Sequence, residues 1–338
     1  MVTFPTIWEA GMNILVIGAA GMIGRKLVAA LLASGSVGNR EIAGITLADI
    51  VAPEAPSTAI PCTSLAADLS QPGVASRLVA SRPDLIFHLA AIVSGEAEAD
   101  FDKGYAINLD GTRHLLEAIR HESTSASYCP RLVFTSSIAV FGTPLPDLIG
   151  DNEAHTPLTS YGTQKAICEL LLADYSRRGF VDGIGIRLPT IVVRPGAPNK
   201  AASGFFSGII REPLAGLEAI LPVSEDVRHW FASPRAAIGF LLHAAQLNST
   251  PLGQRRTLTM PGLAATVGEE IAALGRIAGP KAVARIRHQP DETITRIVAG
   301  WPQAFDPARA LALGFRADAS FDAIVRDHIE SELGGRIA

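Results

Sequence analysis

The sequence predicts a doubly wound α/β fold, in which helices cover both faces of a parallel sheet. Three observations lead to this prediction. Short apolar segments rich in β-branched residues alternate along the chain with longer segments of helical periodicity. The predicted strands are nearly all apolar, as expected when both faces of a parallel sheet are buried. The first strand also runs directly into a glycine-rich turn and a helix.

The elements follow from these patterns in chain order. Continuous apolar runs predict strands at 13–17, 45–49, 85–89, 131–135 and 183–188, with a candidate strand at 256–260. Helical periodicity predicts helices at 25–33, 101–121, 161–178, 229–246 and 267–278. Gly35 and Gly179 follow two of these helices, and glycine commonly ends a helix.

Composition and charge exclude several classes of function. The 338 residues are 48% hydrophobic and 18% charged, and the net charge is −4. This charge gives no basic surface for a nucleic-acid partner. No apolar run approaches the ~20 residues that span a bilayer, so we expect no membrane partner. Three cysteines without metal-binding spacing predict reduced thiols, no metal and a cytoplasmic protein. Residues 1–11 lack the features of a secretory signal and are interpreted as an N-terminal extension.

A glycine-rich turn between the first strand and the first helix predicts a dinucleotide site. Its glycines are spaced G-x-x-G-x-x-G, which allows a pyrophosphate to approach backbone N–H groups at the helix N-terminus. The alternative is a merely flexible connection. The predicted cofactor contacts in this turn are Gly18, Gly21, Met22, Ile23 and Gly24.

Asp49 ends the second predicted strand, 25 residues after Gly24. A carboxylate there accepts hydrogen bonds from ribose hydroxyls and repels a 2′-phosphate, so NAD is favoured over NADP. Arg25 leaves open the use of both NAD and NADP. Asp68 and Leu69 either contact the adenine or form an ordinary turn.

Tyr161 and Lys165 lie one helical turn apart and therefore on one face of a predicted helix. A tyrosine with a pKa near ~10 is a poor base, and an adjacent ammonium would favour the phenolate. Ser136 and Ser137 end the strand at 131–135, on the edge of the sheet where such folds bind ligands. A serine hydroxyl there can donate to the oxygen whose proton Tyr161 removes.

The strand at 85–89 ends in small residues that let the backbone pass close to a cofactor. Leu89, Ala90 and Ala91 are the predicted contacts, and Ser94 could reach nicotinamide or substrate. His88 is interpreted as a packed strand residue and not as a catalyst.

Together these motifs resemble an extended short-chain dehydrogenase/reductase of the Rossmann type, a superfamily that contains nucleotide-sugar epimerases and dehydratases. The resemblance rests on 18–24, Asp49, 88–91, 108–112, 136–142 and 161–165. It implies Ser137 as hydroxyl donor, Tyr161 as general base, and Lys165 as the cation that lowers the tyrosine pKa and holds the nicotinamide ribose. It further implies Asn108 behind the site, Pro189 and Thr190 against the carboxamide, and a homodimer.

The subclass within the superfamily is predicted from positions that differ from dehydratases and epimerases and from segments that match one further family. Ile138 and Ala139 stand where dehydratases carry an acidic pair, and residues 260–268 lack the glycine-rich stretch of many nucleotide-sugar epimerases. The segments 93–101, 187–190, 194–196 and 208–216 resemble the D-erythronate dehydrogenase family. That resemblance implies NAD-dependent oxidation of a four-carbon sugar acid at C2.

A hydroxy acid needs a cation for its carboxylate, and arginine offers two parallel donors. Arg211, Arg194 and Arg228 are the candidates; the last matches an arginine that nucleotide-sugar relatives use on phosphate. Asn199 and Ser207 are candidates for hydroxyl contacts, beside Ser94 and Ser137.

The predicted organisation is an NAD-binding domain at 12–194 with a return segment at about 228–260. Residues 195–227 and 261–338 would form the substrate-binding region. Two other functions stay open: an epimerase, which returns the hydride to the opposite face, and a non-catalytic NAD sensor.

Overall fold

A computed structural model describes residues 11–125, 127–196 and 202–338. Its strands are β1 (Met12–Ile17), β2 (Ser36–Val37), β3 (Arg40–Asp49), β4 (Cys62–Ala66), β5 (Leu85–His88), β6 (Arg131–Ser137), β7 (Ile149–Gly150), β8 (Asp182–Leu188), β9 (Thr190–Ile191), β10 (Ala219–Leu221), β11 (Arg228–Ala232), β12 (Thr257–Thr259), β13 (Leu263–Thr266), β14 (Ile286–His288) and β15 (Phe305–Asp306). Its helices are α1 (Met22–Ser34), α2 (Val74–Val79), α3 (Ser94–Ala99), α4 (Phe101–Gly104), α5 (Gly111–Ser125), α6 (Ser160–Arg177), α7 (Gly204–Leu214), α8 (Pro234–Gln246), α9 (Val267–Ala278), α10 (Pro280–Val283), α11 (Glu292–Ala299), α12 (Ala308–Ala312) and α13 (Phe321–Glu332). The predicted extension at 1–11 lies outside the described residues except for residue 11.

The main sheet has the strand order β12-β8-β6-β5-β1-β3-β4, with all of these strands parallel. The short strand β2 pairs antiparallel with the start of β3. From β1 the chain proceeds to β3 and β4 on one side, then returns to build β5, β6, β8 and β12 on the other. Ligands bind at such a reversal, beyond the carboxyl ends of the strands. The predicted doubly wound fold is confirmed.

Helices cover both faces of this sheet, and the residues of β1 show how. Ile14 and Val16 are buried in one core with α1 and α8, whereas Leu15 and Ile17 are buried in a second core with α2, α5 and α6. Because successive strand residues point to opposite faces, an uninterrupted apolar strand can serve both cores.

Two predicted helices differ from the structure. The helix predicted at 229–246 begins as the strand β11, and α8 starts only at Pro234. The side chain of Ser233 caps α8 by accepting a hydrogen bond from the Ala236 N–H at 2.9 Å. Proline at the first helical position is compatible with this start. The helix predicted at 101–121 is interrupted by a π-helical segment, Tyr105–Asp110.

A third core lies among α7, β10, β11, α9 and α13. Its buried side chains include Phe206, Ile210, Leu221, Leu274 and Ile324. The aromatic residues of the tail are packed: Trp301 and Phe321 belong to this core, and Phe315 lies in the core of the sheet. Among the described residues, no helix is both long and apolar enough to cross a membrane.

Arg131, at the start of β6, connects the sheet to α8. Its guanidinium donates to the Asp182 carboxylate at 2.6 Å and to the Ala244 and Leu247 carbonyls at 2.8 and 2.9 Å. We expect Arg131→Met to lower the free energy of unfolding by about 2–4 kcal/mol, since helix-terminal carbonyls lose their donor and the half-buried carboxylate of Asp182 loses one arginine while it keeps Arg256.

The matched control is Arg177→Met, which removes an exposed pair with Asp174 and should cost less than about 0.5 kcal/mol. Urea unfolding measures both values. Equal losses in the two variants would contradict the role assigned to Arg131.

Candidate active site

A cavity of roughly 370 Å³ opens at the carboxyl ends of β5, β6 and β8. Residues predicted from the sequence form much of its wall: Met22, Ile23, Leu89, Ala91, Ser94, Ser137, Tyr161, Lys165, Pro189 and Thr190. The structure therefore brings the predicted catalytic residues and part of the predicted cofactor site to one place.

Ser137 and Tyr161 converge because α6 packs unusually close to the turn after β6. A Cβ atom at Gly162 would lie 2.2 Å from the carbonyl oxygen of Ala139, so this contact requires glycine. Thr159 caps α6 by accepting from the Gly162 N–H at 3.0 Å, and Ser137 Oγ accepts from the Ala139 N–H at 3.1 Å. Tyr161 thus emerges from the first turn of α6 beside the Ser137 hydroxyl.

Lys165 is buried one turn further along α6, with 2% of its surface exposed. Its Nζ donates to the Thr135 carbonyl at 2.8 Å and lies 4.7 Å from the centre of the Phe134 ring. Burial lowers the pKa of Lys165 to about 8, while Cys168 and Glu169 oppose this shift. The cation is held in place by backbone and an aromatic face, in a poorly solvated position.

Burial works against the lowering of the tyrosine pKa that Lys165 is expected to cause, and that lowering stays a prediction. Burial raises the pKa of Tyr161 to about 12, and the hydrogen bond with the Ser137 side chain opposes the shift. Lys165 Nζ lies 5.7 Å from the centre of the tyrosine ring and donates to Thr135 instead. In the cofactor-free protein, burial therefore outweighs the effect of the cation on the phenol.

A buried polar network supports the site from behind. Ser136 donates to Glu169 Oε1 at 2.5 Å, and Arg187 Nη2 donates to Glu169 Oε2 at 2.7 Å. Arg187 Nη2 also lies 2.7 Å from His155 Nε2, in the loop before α6. Glu169 is on α6 and Arg187 on β8, so the network links the helix that carries Tyr161 to the strand that leads into Thr190.

Asn108 lies in the π-helical segment, 1% exposed, and does not line the cavity. Its Oδ1 accepts from the Ile92 N–H at 2.9 Å and its Nδ2 donates to Gln164 Oε1 at 2.7 Å. It therefore joins the loop after β5 to α6, between the positions of Tyr161 and Lys165.

His88 packs within the sheet, as expected. Its Nε2 lies 2.9 Å from the Thr112 hydroxyl. Burial and the charge of Lys165 lower its pKa to about 3, so the ring is neutral at pH 7.

The glycine-rich turn has the shape that a dinucleotide needs. Gly18 has a φ of +91°, and a Cβ there would lie 2.7 Å from the Ala90 nitrogen. A Cβ at Gly24 would lie 2.1 Å from the Gly18 oxygen. No side chain caps α1 at Gly21, so N–H groups of its first turn are available to a phosphate. The carboxylate of Asp49 is anchored at this turn by the Ala20 N–H at 2.9 Å.

Asp68 forms its own turn, as one of the two alternatives predicted. Its carboxylate accepts from the Ser70 N–H at 2.9 Å and the Ser70 hydroxyl at 2.6 Å. Leu69 is buried, and its carbonyl oxygen lies 3.0 Å from His114 Nδ1. Their contact with adenine stays a prediction.

Of the three candidate arginines, the structure brings Arg194 to the cavity. Its Nη2 donates to the Ser203 hydroxyl at 2.8 Å. Burial and repulsion from Arg211 lower the pKa of Arg194. Within residues 11–125, 127–196 and 202–338, no carboxylate pairs with this guanidinium.

Ser94 and Ser137 line the cavity, whereas Arg211, Arg228 and Ser207 do not. Arg211 pairs with Glu212 and donates to the Arg194 carbonyl at 2.7 Å. Arg228 is exposed and lies 3.4 Å from the Ala264 carbonyl. Ser207 is buried, where its Oγ accepts from the Arg194 N–H at 3.0 Å. Asn199 lies outside the described residues.

Several wall residues were not identified from the sequence. They are Ser203, His229, Trp301 and Pro302. They lie at the N-terminus of α7, in β11 and in the tail. These segments are far apart in the sequence, and only tertiary packing brings them to the cavity. The aromatic pair at 229–230 is a local signal for strand that the helical interpretation overlooked.

A sequence model of the NAD dependent epimerase/dehydratase family matches residues 14–249. The chain belongs to this family. The membership confirms NAD as the cofactor and an oxidoreductase active site, and the cradle at Gly18 and Gly24 fits that cofactor. Ser137, Tyr161 and Lys165 are thus the catalytic candidates of a family member.

Individual relatives extend the comparison. The D-erythronate dehydrogenase of Cupriavidus necator is 47% identical over 94% of this chain and 98% of that protein. The Haemophilus influenzae D-erythronate dehydrogenase is 44% identical over 95% of this chain and all of that protein. A solved structure is described as a nucleoside-diphosphate-sugar epimerase from Agrobacterium tumefaciens, and its sequence is 60% identical to this chain. The match covers 100% of this chain and 99% of that structure, with a TM-score of 0.96.

The buried charge of Lys165 should destabilise the cofactor-free protein. A shift of the pKa from 10.5 to about 8 corresponds to on the order of 3 kcal/mol. We expect Lys165→Met to raise the free energy of unfolding at pH 7 by about 1–3 kcal/mol, because the lost hydrogen bond to Thr135 offsets part of the gain.

The pH dependence identifies the cause. Between about pH 8 and 10.5 the unfolded protein binds more protons at Lys165 than the folded protein, so the wild type gains stability as pH rises. The advantage of Lys165→Met should therefore shrink when urea unfolding is repeated at about pH 9.5. An advantage that does not change with pH would point to packing instead of charge.

Proposed function

We propose that this protein oxidises the C2 hydroxyl of D-erythronate to the 2-oxo acid, with NAD as the oxidant. The observation that carries the proposal is the Arg194 guanidinium, which lines the same cavity as Ser137 and Tyr161. Among the described residues no carboxylate pairs with this guanidinium, which suits a substrate that carries its own carboxylate. The two D-erythronate dehydrogenases that match nearly end to end support the choice of acid.

The residues of the chain divide the chemistry among them. Tyr161, as phenolate, removes the proton of the C2 hydroxyl, and Ser137 donates a hydrogen bond to the same oxygen as negative charge develops on it. Lys165 supplies positive charge behind Tyr161 and reaches the cofactor ribose. NAD, when bound, supplies the carbon that accepts the hydride released from C2. The products are the ketone, NADH and one proton.

The surroundings of the site fit this assignment. We place the pyrophosphate at the turn with Gly18, Gly21, Met22, Ile23 and Gly24, and the adenosine ribose at Asp49. Residues 12–194 with the segment at about 228–260 would form the NAD-binding domain. The core at α7, α9 and α13 supports a substrate-binding region built from 195–227 and 261–338.

Assembly and location are also part of the proposal. We propose a homodimer, as the resemblance to the short-chain dehydrogenase/reductase superfamily implies. Cys62, Cys129 and Cys168 are free thiols, which suits the reducing cytoplasm.

A nucleotide-sugar epimerase is the second candidate. It is favoured by the 60% identical structure that is described as such an enzyme. It would use the same three catalytic residues but return the hydride to the substrate, so no NADH would accumulate. The uncompensated Arg194 could then contact a phosphate.

The deciding experiment follows NADH absorbance with purified protein, NAD and D-erythronate. We expect sustained NADH formation, reduced in Tyr161→Phe by about 10²–10⁴-fold because the variant lacks the base. NAD affinity, measured by calorimetry, should stay within about threefold in this variant. No NADH with D-erythronate, together with interconversion of UDP-sugars, would establish the epimerase instead.

A second experiment tests which arginine binds the carboxylate. We expect Arg194→Met to raise KM for D-erythronate by about 10–100-fold, since a charged hydrogen bond is lost, with the Kd for NAD unchanged. Arg228→Met should change KM by less than about twofold. The reverse pattern, with the loss in Arg228→Met, would show that the carboxylate binds outside this cavity.

A further inference from the structure

Thr190 and His229 form a hydrogen-bonded pair in the wall of the cavity. Thr190 Oγ1 lies 2.7 Å from His229 Nε2. The two strands that carry them, β9 and β11, run parallel, with Thr190 opposite Phe231. Both residues line the cavity that contains Ser137 and Tyr161.

The orientation of the imidazole ring of His229 is set by packing. The ring stacks on Phe206 at 5.3 Å with an interplanar angle of 1°, and Trp301 and Phe231 lie 5.2 and 5.4 Å away. Only 2% of His229 is exposed. The ring therefore cannot exchange its two nitrogen atoms without disturbing the aromatic core around it.

The hydrogen bonds determine which nitrogen carries the proton. His229 Nδ1 lies 2.9 Å from the Pro302 carbonyl oxygen, which can only accept, so Nδ1 is the donor. Burial lowers the pKa of His229 to about 4, so the ring is neutral at pH 7. Nε2 then has a lone pair and no hydrogen, and it accepts from the Thr190 hydroxyl.

This arrangement leaves Thr190 as an acceptor toward the cavity. A hydroxyl has one hydrogen and two lone pairs, and the hydrogen of Thr190 is committed to His229. The group that Thr190 can bind must therefore be an O–H or N–H donor. A carboxylate, which only accepts, is repelled there and is directed to Arg194.

We infer that Thr190, oriented by His229, binds one of the two hydroxyl groups of the substrate that do not react, and so selects polyhydroxy acids over simple 2-hydroxy acids. The inference rests on the proposed function and adds a specificity residue to it, with His229 as its positioning residue. Pro302 is the third residue in this series of hydrogen bonds, after Thr190 and His229. It follows Trp301, which packs on the core of α7, α9 and α13. Thr190 is thus oriented through hydrogen bonds that end on the backbone of the tail.

The test compares D-erythronate with its 3-deoxy and 4-deoxy analogues in the NADH assay. For the wild type we expect kcat/KM to fall by about 10–100-fold with one of the two analogues, because Thr190 is left without a donor. In Thr190→Val the ratio between D-erythronate and that analogue should approach one. Thr190→Ser keeps the hydroxyl and should keep the discrimination.

His229→Phe preserves the aromatic packing but removes the acceptor for the Thr190 hydroxyl. We expect it to weaken the discrimination at least about threefold, since the hydroxyl can then rotate. Thr190→Val carries the test if His229→Phe does not fold. The matched control is Thr46→Val, because Thr46 is a half-buried residue of β3 that does not line the cavity. This variant should retain the wild-type ratio of kcat/KM between D-erythronate and the deoxy analogue.

Two results would overturn the inference while the proposed function stands: wild-type activity with equal kcat/KM for all three acids, or an unchanged ratio in Thr190→Val. An unchanged ratio with a Kd for NAD at least about tenfold weaker would show that Thr190 binds the carboxamide of the cofactor. If the wild type forms no NADH with D-erythronate, the proposed function itself is wrong, and the substrate assignment of Thr190 is wrong with it.

Discussion

The contact between Gly162 and the Ala139 carbonyl is the constraint on which the catalytic site depends. A single added carbon would sit 2.2 Å from that oxygen and push α6 away from the turn after β6. Ser137 is the last residue of β6, directly before the turn, and Tyr161 belongs to the helix, so their separation is set by this backbone approach and not by flexible side chains. Because the strand and the helix are both rigid, the site is organised before any ligand binds.

The same close packing explains the electrostatics of the site. α6 brings Lys165 and Glu169 under the end of the sheet, where the protein must hold an ammonium and a carboxylate away from water. The carboxylate of Glu169 accepts hydrogen bonds from Ser136 and Arg187. The ammonium of Lys165 donates to the Thr135 carbonyl and lies over the ring of Phe134. The buried cation beside Tyr161 thus comes at a cost to the stability of the protein, a common exchange in active sites.

Local patterns explain why much of this could be predicted from sequence. The glycine-rich turn, Asp49 and the Tyr161–Lys165 spacing each lie within one strand–turn–helix unit, where chain geometry alone sets the neighbours. Arg194 could not be chosen over Arg211 in this way, because its exposure to the cavity depends on how α7 packs. His229 was assigned to a helix, since the Ser233 cap that begins α8 is a weaker signal than the apolar run. The burial that raises the pKa of Tyr161 could not be predicted either, because the degree of burial is a tertiary property.

The buried pair of Glu169 and Arg187 also limits how this enzyme can be recombined with its relatives. One partner lies on α6 with the proton-transfer residues, and the other lies on β8, two residues before Pro189 and three before Thr190. A chimaera that exchanges β8 and its following loop but keeps α6 would leave a charge buried without its partner whenever the donor lacks an arginine there, at a cost of about 3–5 kcal/mol. The loop after β8 and the helix α6 are therefore inherited as one unit, although 18 residues separate Glu169 from Arg187 in the chain.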